Sequence, residues 1–409
     1  MKGARGEKVV AAMDGISPGV RPCLNQQGRG RRVAIVHEWL ETYAGSERVV
    51  RELLAMFPDA ELFALVDFLN DEDREKLFFK RARTSFLQGL PWARRRFRAY
   101  LPLMPLAIEQ LDVSDYDIVI SSSHAVAKGV LTGPDQIHIC YCHTPIRYAW
   151  DLQHQYLRQS GRVRGLKSAA ARVVLHYIRQ WDVRTAHGVD QFIANSAYIA
   201  RRIKKTYGRG AAVVHPPVDI AAFPMRREKE EFFVTASRLV PYKRVDLIVE
   251  AFAAMPEKQL VVIGDGPEMA NIARLAGPNV RLLGYQPDDV LRDYLQRARA
   301  FVCAAEEDFG ILLVEALACG TPVIAYGRGG AREIVAAEGN ELGLAPAGIF
   351  FEPRDAAALR EAILRFEARD FAPEACRACA ERFAAEHFRE GIRLAMADVE
   401  VSVLARPPG

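Results

Sequence analysis

Two glutamates with seven residues between them, Glu307 and Glu315, enclose the run Asp-Phe-Gly-Ile-Leu-Leu-Val, and the small-residue turn Ala318-Cys-Gly-Thr-Pro322 follows. A strand is expected to end near Cys303 and a helix to begin near Gly310. Free N–H groups and the helix dipole at such a start favour a negative ligand, and a diphosphate fits there. Glu315, about a turn and a half into the helix, is placed to accept hydrogen bonds from two vicinal ribose hydroxyls. Glu307 stays in the loop, nearer to a sugar. Spacing by itself equally describes a solvated acidic loop with a helix-face glutamate. The Phe-Gly inside the run and the turn after it favour the ligand reading.

A second tract, Val234-Thr-Ala-Ser-Arg-Leu-Val-Pro-Tyr-Lys-Arg-Val-Asp246, reads as strand, loop and helix, with Arg238 and Lys243 in the loop. The planar fork of arginine and the compact charge of lysine together suit a leaving diphosphate. Val261-Val-Ile-Gly-Asp-Gly266 reads as a strand ending in a glycine turn, where Gly264 and Gly266 would let the backbone approach a ligand. In the first half, Gly45 lies in a loop after a strand, and two histidines follow later strands: His124 in Ser121-Ser-Ser-His-Ala-Val-Ala-Lys128, and His143 in Cys140-Tyr-Cys-His-Thr-Pro145. His138, Cys140, Cys142 and His143 match no standard zinc spacing, so no metal site is expected.

These residues need strands that deliver them to one place. Short apolar runs at 33–37, 117–121, 137–142 and 191–195 alternate with helical patterns such as 167–188. After the proline-bearing and charged stretch 216–230 the alternation restarts, with strands at 232–236, 259–263, 279–283, 300–303 and 322–325 and helices at 245–254, 267–276, 288–297, 311–319 and 329–337. Such alternation predicts parallel sheets covered on both faces. With 409 residues, two domains are expected: 31–215 and 231–385, joined by the 216–230 linker, with residues 386–409 as a C-terminal helix returning towards the first domain. Residues 1–30 carry Arg5, Arg21 and Arg29 without an apolar core and read as a disordered leader, in which Met13 offers a second start. The seven cysteines, an odd number, read as reduced thiols of a cytoplasmic protein. Net charge is +4, and the positive excess falls before residue 210. Residues 80–98 mix Lys80, Arg81, Arg83, Arg94, Arg95, Arg96 and Arg98 with Trp92 and Phe97, a pattern suited to an anionic membrane surface. A solvated basic face explains the same charges. Nucleic acid is not expected, because no recognition module accompanies the charge.

The Glu307 to Ile324 segment resembles glycosyltransferase family 4, retaining enzymes of the GT-B fold, and the resemblance runs from Val33 to about Phe388. It implies two facing Rossmann-like, doubly wound domains with a deep cleft. By it, Glu315 binds the ribose, and Glu307 with Phe309, Gly310 and Ile311 holds the donor sugar. Arg238 and Lys243 neutralise the leaving diphosphate, and Gly264 and Gly266 lie near the nucleotide. Gly45 approaches the donor from a loop where the family usually has two adjacent glycines; Ala44 replaces the first. Near the anomeric carbon the resemblance favours His124 and leaves His143 as the rival on the acceptor side. The tracts around His143, Asn195 and Pro216 resemble bacterial mannosyltransferases of O-antigen and exopolysaccharide assembly. GDP-mannose as donor, no metal cofactor, a lipid-linked or glycan acceptor, and peripheral attachment to the inner face of the cell membrane follow as expectations. A sugar-nucleotide epimerase or a non-catalytic nucleotide-sugar-binding protein on the same fold stands as the alternative.

Overall fold

The computed structural model describes residues 30–159, 161, 164–337 and 343–404. The expected leader lies outside them apart from Gly30, as do residues 405–409 of the expected C-terminal helix. Thirteen strands form among the described residues. Seven are β1 (Val33–His37), β2 (Glu61–Ala64), β3 (Arg83–Thr84), β4 (Ile118–Ser123), β5 (Ile137–Cys142), β6 (Gln191–Ala194) and β7 (Ala212–Val213). They make one sheet in the order β3-β2-β1-β4-β5-β6-β7, and every pairing is parallel. The others are β8 (Phe232–Ala236), β9 (Gln259–Ile263), β10 (Val280–Gly284), β11 (Ala300–Cys303), β12 (Val323–Tyr326) and β13 (Gly348–Phe351). They make a second parallel sheet in the order β10-β9-β8-β11-β12-β13.

Continuous apolar runs suit these strands because both faces are covered. In β8, Val234 and Ala236 enter one core while Phe233 enters the core on the opposite face. In β1, Val33 and Ile35 face one way and Ala34 and Val36 the other. This is the two-residue period of a strand read out on both sides. Strand order reverses between β1 and β4 and again between β8 and β11, and ligands of doubly wound sheets bind at such switch points.

Four strands are absent from the sequence reading. β3 and β7 have two residues each, too short to show a period, and β2 and β13 have four. The helix expected over 329–337 shrinks to Ala331–Ile334: it starts late because Gly329 and Gly330 are packed against the loop at Glu307, and it ends where Val335 turns to extended backbone. The final helix, Ala385–Leu404, lies against the first sheet. Its Phe388, Ile392, Ala395, Met396 and Val399 repeat at helical spacing and join the core of β1 and β5. No helix of the described residues is long and apolar enough to cross a membrane.

Candidate functional site

A cleft with a cavity volume of about 580 Å³ lies between the two sheets. Residues of the second sheet that line it include Arg238, Lys243, Glu307, Phe309, Gly310 and Ile311. The Glu307 loop is pressed onto a glycine pair. The Gly330 N–H donates to the Glu307 carbonyl at 2.9 Å. A Cβ on Gly329 would fall 2.3 Å from that carbonyl oxygen, and one on Gly330 would fall 2.3 Å from the Phe309 oxygen. So held, Glu307 meets Lys243, whose Nζ donates to Oε1 at 2.6 Å. Burial works against the lysine charge, but the adjacent carboxylate outweighs it and raises the ammonium pKa. Arg238 is exposed at the same cleft. Gly310 caps the helix Ile311–Ala318 at φ +108°, and this first turn, Gly310 to Leu313, lines the cavity.

Gly264 and Gly266 are not among the lining residues. They buttress the Arg238 loop from behind: a Cβ on Gly264 would fall 1.9 Å from the Ser237 oxygen, and one on Gly266 would fall 2.4 Å from the Leu239 oxygen. Glu315 does not share the cavity of Glu307 either. It opens onto an adjoining cavity of about 710 Å³ that also contacts Tyr43, Arg48 and Asp288. Its side chain is buried, and Oε1 accepts from Arg48 of the helix Gly45–Met56 in the other domain. Burial raises the Glu315 pKa and Arg48 opposes the rise.

The first sheet contributes Ala44, Gly45, Ser46, His124, His143, Thr144 and Asn195 to the cleft. Ala44 sits at φ −134°, extended backbone open to any residue, so the missing first glycine imposes no strain. Its N–H donates to Glu47 at 3.0 Å, closing the start of the helix. Gly45 faces the second domain directly, since a Cβ there would lie 3.2 Å from Ile311 Cδ1. His124 and His143 stand with ring centroids 6.3 Å apart. Ser122 Oγ lies 2.9 Å from His143 Nε2, and the edge of Trp39 meets His124 at 4.7 Å. Burial holds both imidazoles below their usual pKa, His143 far below. Behind them the fully buried His37 stands 3.2 Å from both Ser122 and Glu47. His138 is buried too, with Nε2 2.8 Å from Ser121 Oγ, and burial pushes it down to about 4. Among the described residues no three His, Cys, Asp or Glu side chains group as a metal site.

Polar contacts tie the halves together at the cleft. Asp308, next to Glu307, accepts from Arg147 and has Arg202 at 3.5 Å, both from the first domain. Ser196 Oγ donates to the Asp308 carbonyl at 2.6 Å. Glu333 accepts from the N–H groups of Ala197 and Tyr198 at 2.8 and 3.0 Å and so caps the helix Ala197–Tyr207 from the opposite domain. In the basic region, Arg83 pairs with Glu61 and Arg98 with Glu41, each at 2.6 Å, whereas Arg81, Arg94, Arg95 and Arg96 are exposed beside Trp92, itself 74% exposed.

Residues 43–222 match the family described as Glycosyltransferase Family 4, and residues 220–384 match Glycosyl transferases group 1. A GDP-mannose-dependent monoacylated alpha-(1-6)-phosphatidylinositol monomannoside mannosyltransferase of Corynebacterium glutamicum is 34% identical over 178 residues, 36% of this chain and 47% of that protein. An N-acetyl-alpha-D-glucosaminyl L-malate synthase of Bacillus anthracis is 29% identical over 165 residues, 38% of each chain. The matched stretch thus spans less than half the length of these relatives. Anabaena Alr3699/HepE, solved in complex with UDP, superposes with a TM-score of 0.64 at 17% identity over 90% of this chain and all of that one. Sucrose-phosphate synthase of Thermosynechococcus elongatus superposes at 0.63 and 18%, over 92% and 100%. With the two family matches meeting at the linker and the fold shared over both sheets, the chain belongs to the family 4, group 1 glycosyltransferases of the GT-B fold.

Proposed function

We propose that the chain is a retaining hexosyltransferase that moves mannose from GDP-mannose to a lipid-linked or glycan acceptor in cell-surface polysaccharide synthesis. The observation that carries this reading is the convergence of Lys243, Arg238, Glu307, the N-terminus of the 311–318 helix and His124 on one cavity between two sheets. Three of these features favour negative charge where a diphosphate would depart, and preorganised charge of that kind is usually the largest catalytic contribution. The scheme runs without a metal. Retention follows if the departing phosphate takes the acceptor's proton on the face it leaves. The Corynebacterium relative, named for GDP-mannose and a phosphatidylinositol mannoside, supports both mannose and a lipid-linked acceptor. The exposed arginines at 81 and 94–96 with Trp92 suit attachment to an anionic membrane surface at its cytoplasmic face.

Incubation of the full chain with a panel of radiolabelled nucleotide sugars and membrane lipid extract tests the reading. Label from GDP-mannose is expected in the lipid fraction. Consumption of UDP-sugars alone would end the mannose assignment, interconversion of free nucleotide sugars would identify an epimerase, and tight binding without turnover would identify a binding protein.

A further inference from the structure

This inference rests on the reading of His124 as the residue nearest the reacting carbon. Glu38 follows β1 directly and is fully buried. Five donors converge on its carboxylate. The N–H groups of His124, Ala125 and Ala127 donate to Oε1 at 2.9, 2.7 and 3.1 Å, with the Ser123 hydroxyl at 3.1 Å. The Val126 N–H donates to Oε2 at 2.8 Å. Successive N–H groups aimed at one anion form the nest with which turns after strands hold phosphate. Here the chain's own carboxylate fills it. Burial opposes the Glu38 charge, yet His124 and the N–H groups of Val126, Ala125 and Ala127 prevail and keep it ionised.

The imidazole above this turn has little else to hold it. Its Nδ1 atom is buried without a hydrogen-bond partner among the described residues, and its neighbours are the edge of Trp39 and the rings of His37 and His143, each 6.3 Å away. We propose that Glu38 is a positioning residue: its carboxylate fixes the 123–127 turn in the backbone shape that carries His124 to the cleft. A charge so close also acts on the ring. Burial lowers the His124 pKa most, Glu38 opposes that most, His37 and Arg98 lower it further, and Glu47 raises it.

Two variants of the full chain separate geometry from charge. Glu38→Gln removes the charge and one acceptor oxygen, whereas Glu38→Asp keeps the charge on a shorter arm. NMR titration of His124 and steady-state kinetics are the readouts. In Glu38→Gln the His124 midpoint is expected to fall by about one pH unit. Its kcat is expected to drop about 100-fold, the usual cost of a small misplacement, with the donor KM nearly unchanged. In Glu38→Asp kcat drops as well while the midpoint stays near the wild-type value. Where His124→Ala lowers kcat, a wild-type kcat in both Glu38 variants overturns the proposal; an unmoved midpoint in Glu38→Gln overturns it in either case. If Glu38→Gln does not fold, Glu38→Asp decides by kcat; if neither folds, Glu38 is a determinant of the fold and the proposal falls. Should His124→Ala retain full transfer while the Glu38→Gln midpoint moves, the catalytic reading of His124 fails and the positioning by Glu38 stands.

Discussion

Lys243 and Glu307 form an ion pair inside the cleft, so under the proposed function a donor diphosphate has to win the lysine from its partner. Lys243→Ala removes the cation and leaves the half-buried Glu307 without it; kcat/KM is expected to fall by about 10²- to 10³-fold, and a change under tenfold would remove Lys243 from the reaction. The two histidines separate in the same assay. His124→Ala is expected to lower kcat more than His143→Ala, because His143 is held from behind by Ser122 whereas the His124 ring is not tied that way. A larger loss at His143 reverses the assignment. Glu307, Lys243 and His124 were legible in the sequence because each sits in a contiguous tract that reports its own strand end. Glu38, Arg48 and Arg147 were not. Their partners His124, Glu315 and Asp308 lie 86, 267 and 161 residues away, and nothing local marks such a pairing before the chain has folded.

The turn after β9 shows how one element supports another. Gly264 at φ +128° presses on the Ser237 carbonyl and thereby sets the loop that presents Arg238. Gly264→Ala introduces both a disfavoured backbone angle and a clash. A loss of about 2–3 kcal/mol in urea unfolding is expected, together with reduced turnover. Loss of turnover with unchanged stability would mean that the glycine touches substrate after all. The glycine turn itself was legible, since Gly-Asp-Gly after an apolar run punctuates a strand. Its role was not, because a close approach between two loops depends on how β8 and β9 pair. The same holds for β3 and β7, whose two residues become strands only beside a formed neighbour.

Across the whole molecule, the contacts of Asp308 with Arg147 and Arg202 join the Glu307 loop of the second domain to the first domain. A double-mutant cycle of Asp308→Asn and Arg147→Met is expected to show coupling of about 1–3 kcal/mol in kcat/KM, and additive losses would mean that the contact does not serve catalysis. Protons act at this scale too. His124, His138 and His143 are held below the usual imidazole value, His138 at about 4, so the unfolded chain takes up protons near pH 6.5 that the folded chain refuses. Their contribution to stability is therefore full above that pH and is lost as pH falls from there through each folded value, about 4 for His138, at about 1.4 kcal/mol per pH unit while the loss runs. Glu38 and Glu47, held below the carboxylate value, lose their share lower in the same descent. Asp308 and Glu315, held above it, act with the opposite sign. Calorimetry should show the melting temperature falling between pH 7 and pH 5; a rise would mean the raised carboxylates dominate. The return of the last helix carries a consequence for how the protein is made. Phe388, Ile392 and Val399 complete the core beneath β1, although β1 leaves the ribosome some 350 residues earlier. The half synthesised first thus stays incomplete until Val399 has left the ribosome, while the second sheet, whose cores use residues up to Phe383, has its partners before then. A ribosome stalled within residues 385–404 would hold the second sheet with its core residues all present beside a first sheet whose apolar face is still open to chaperones.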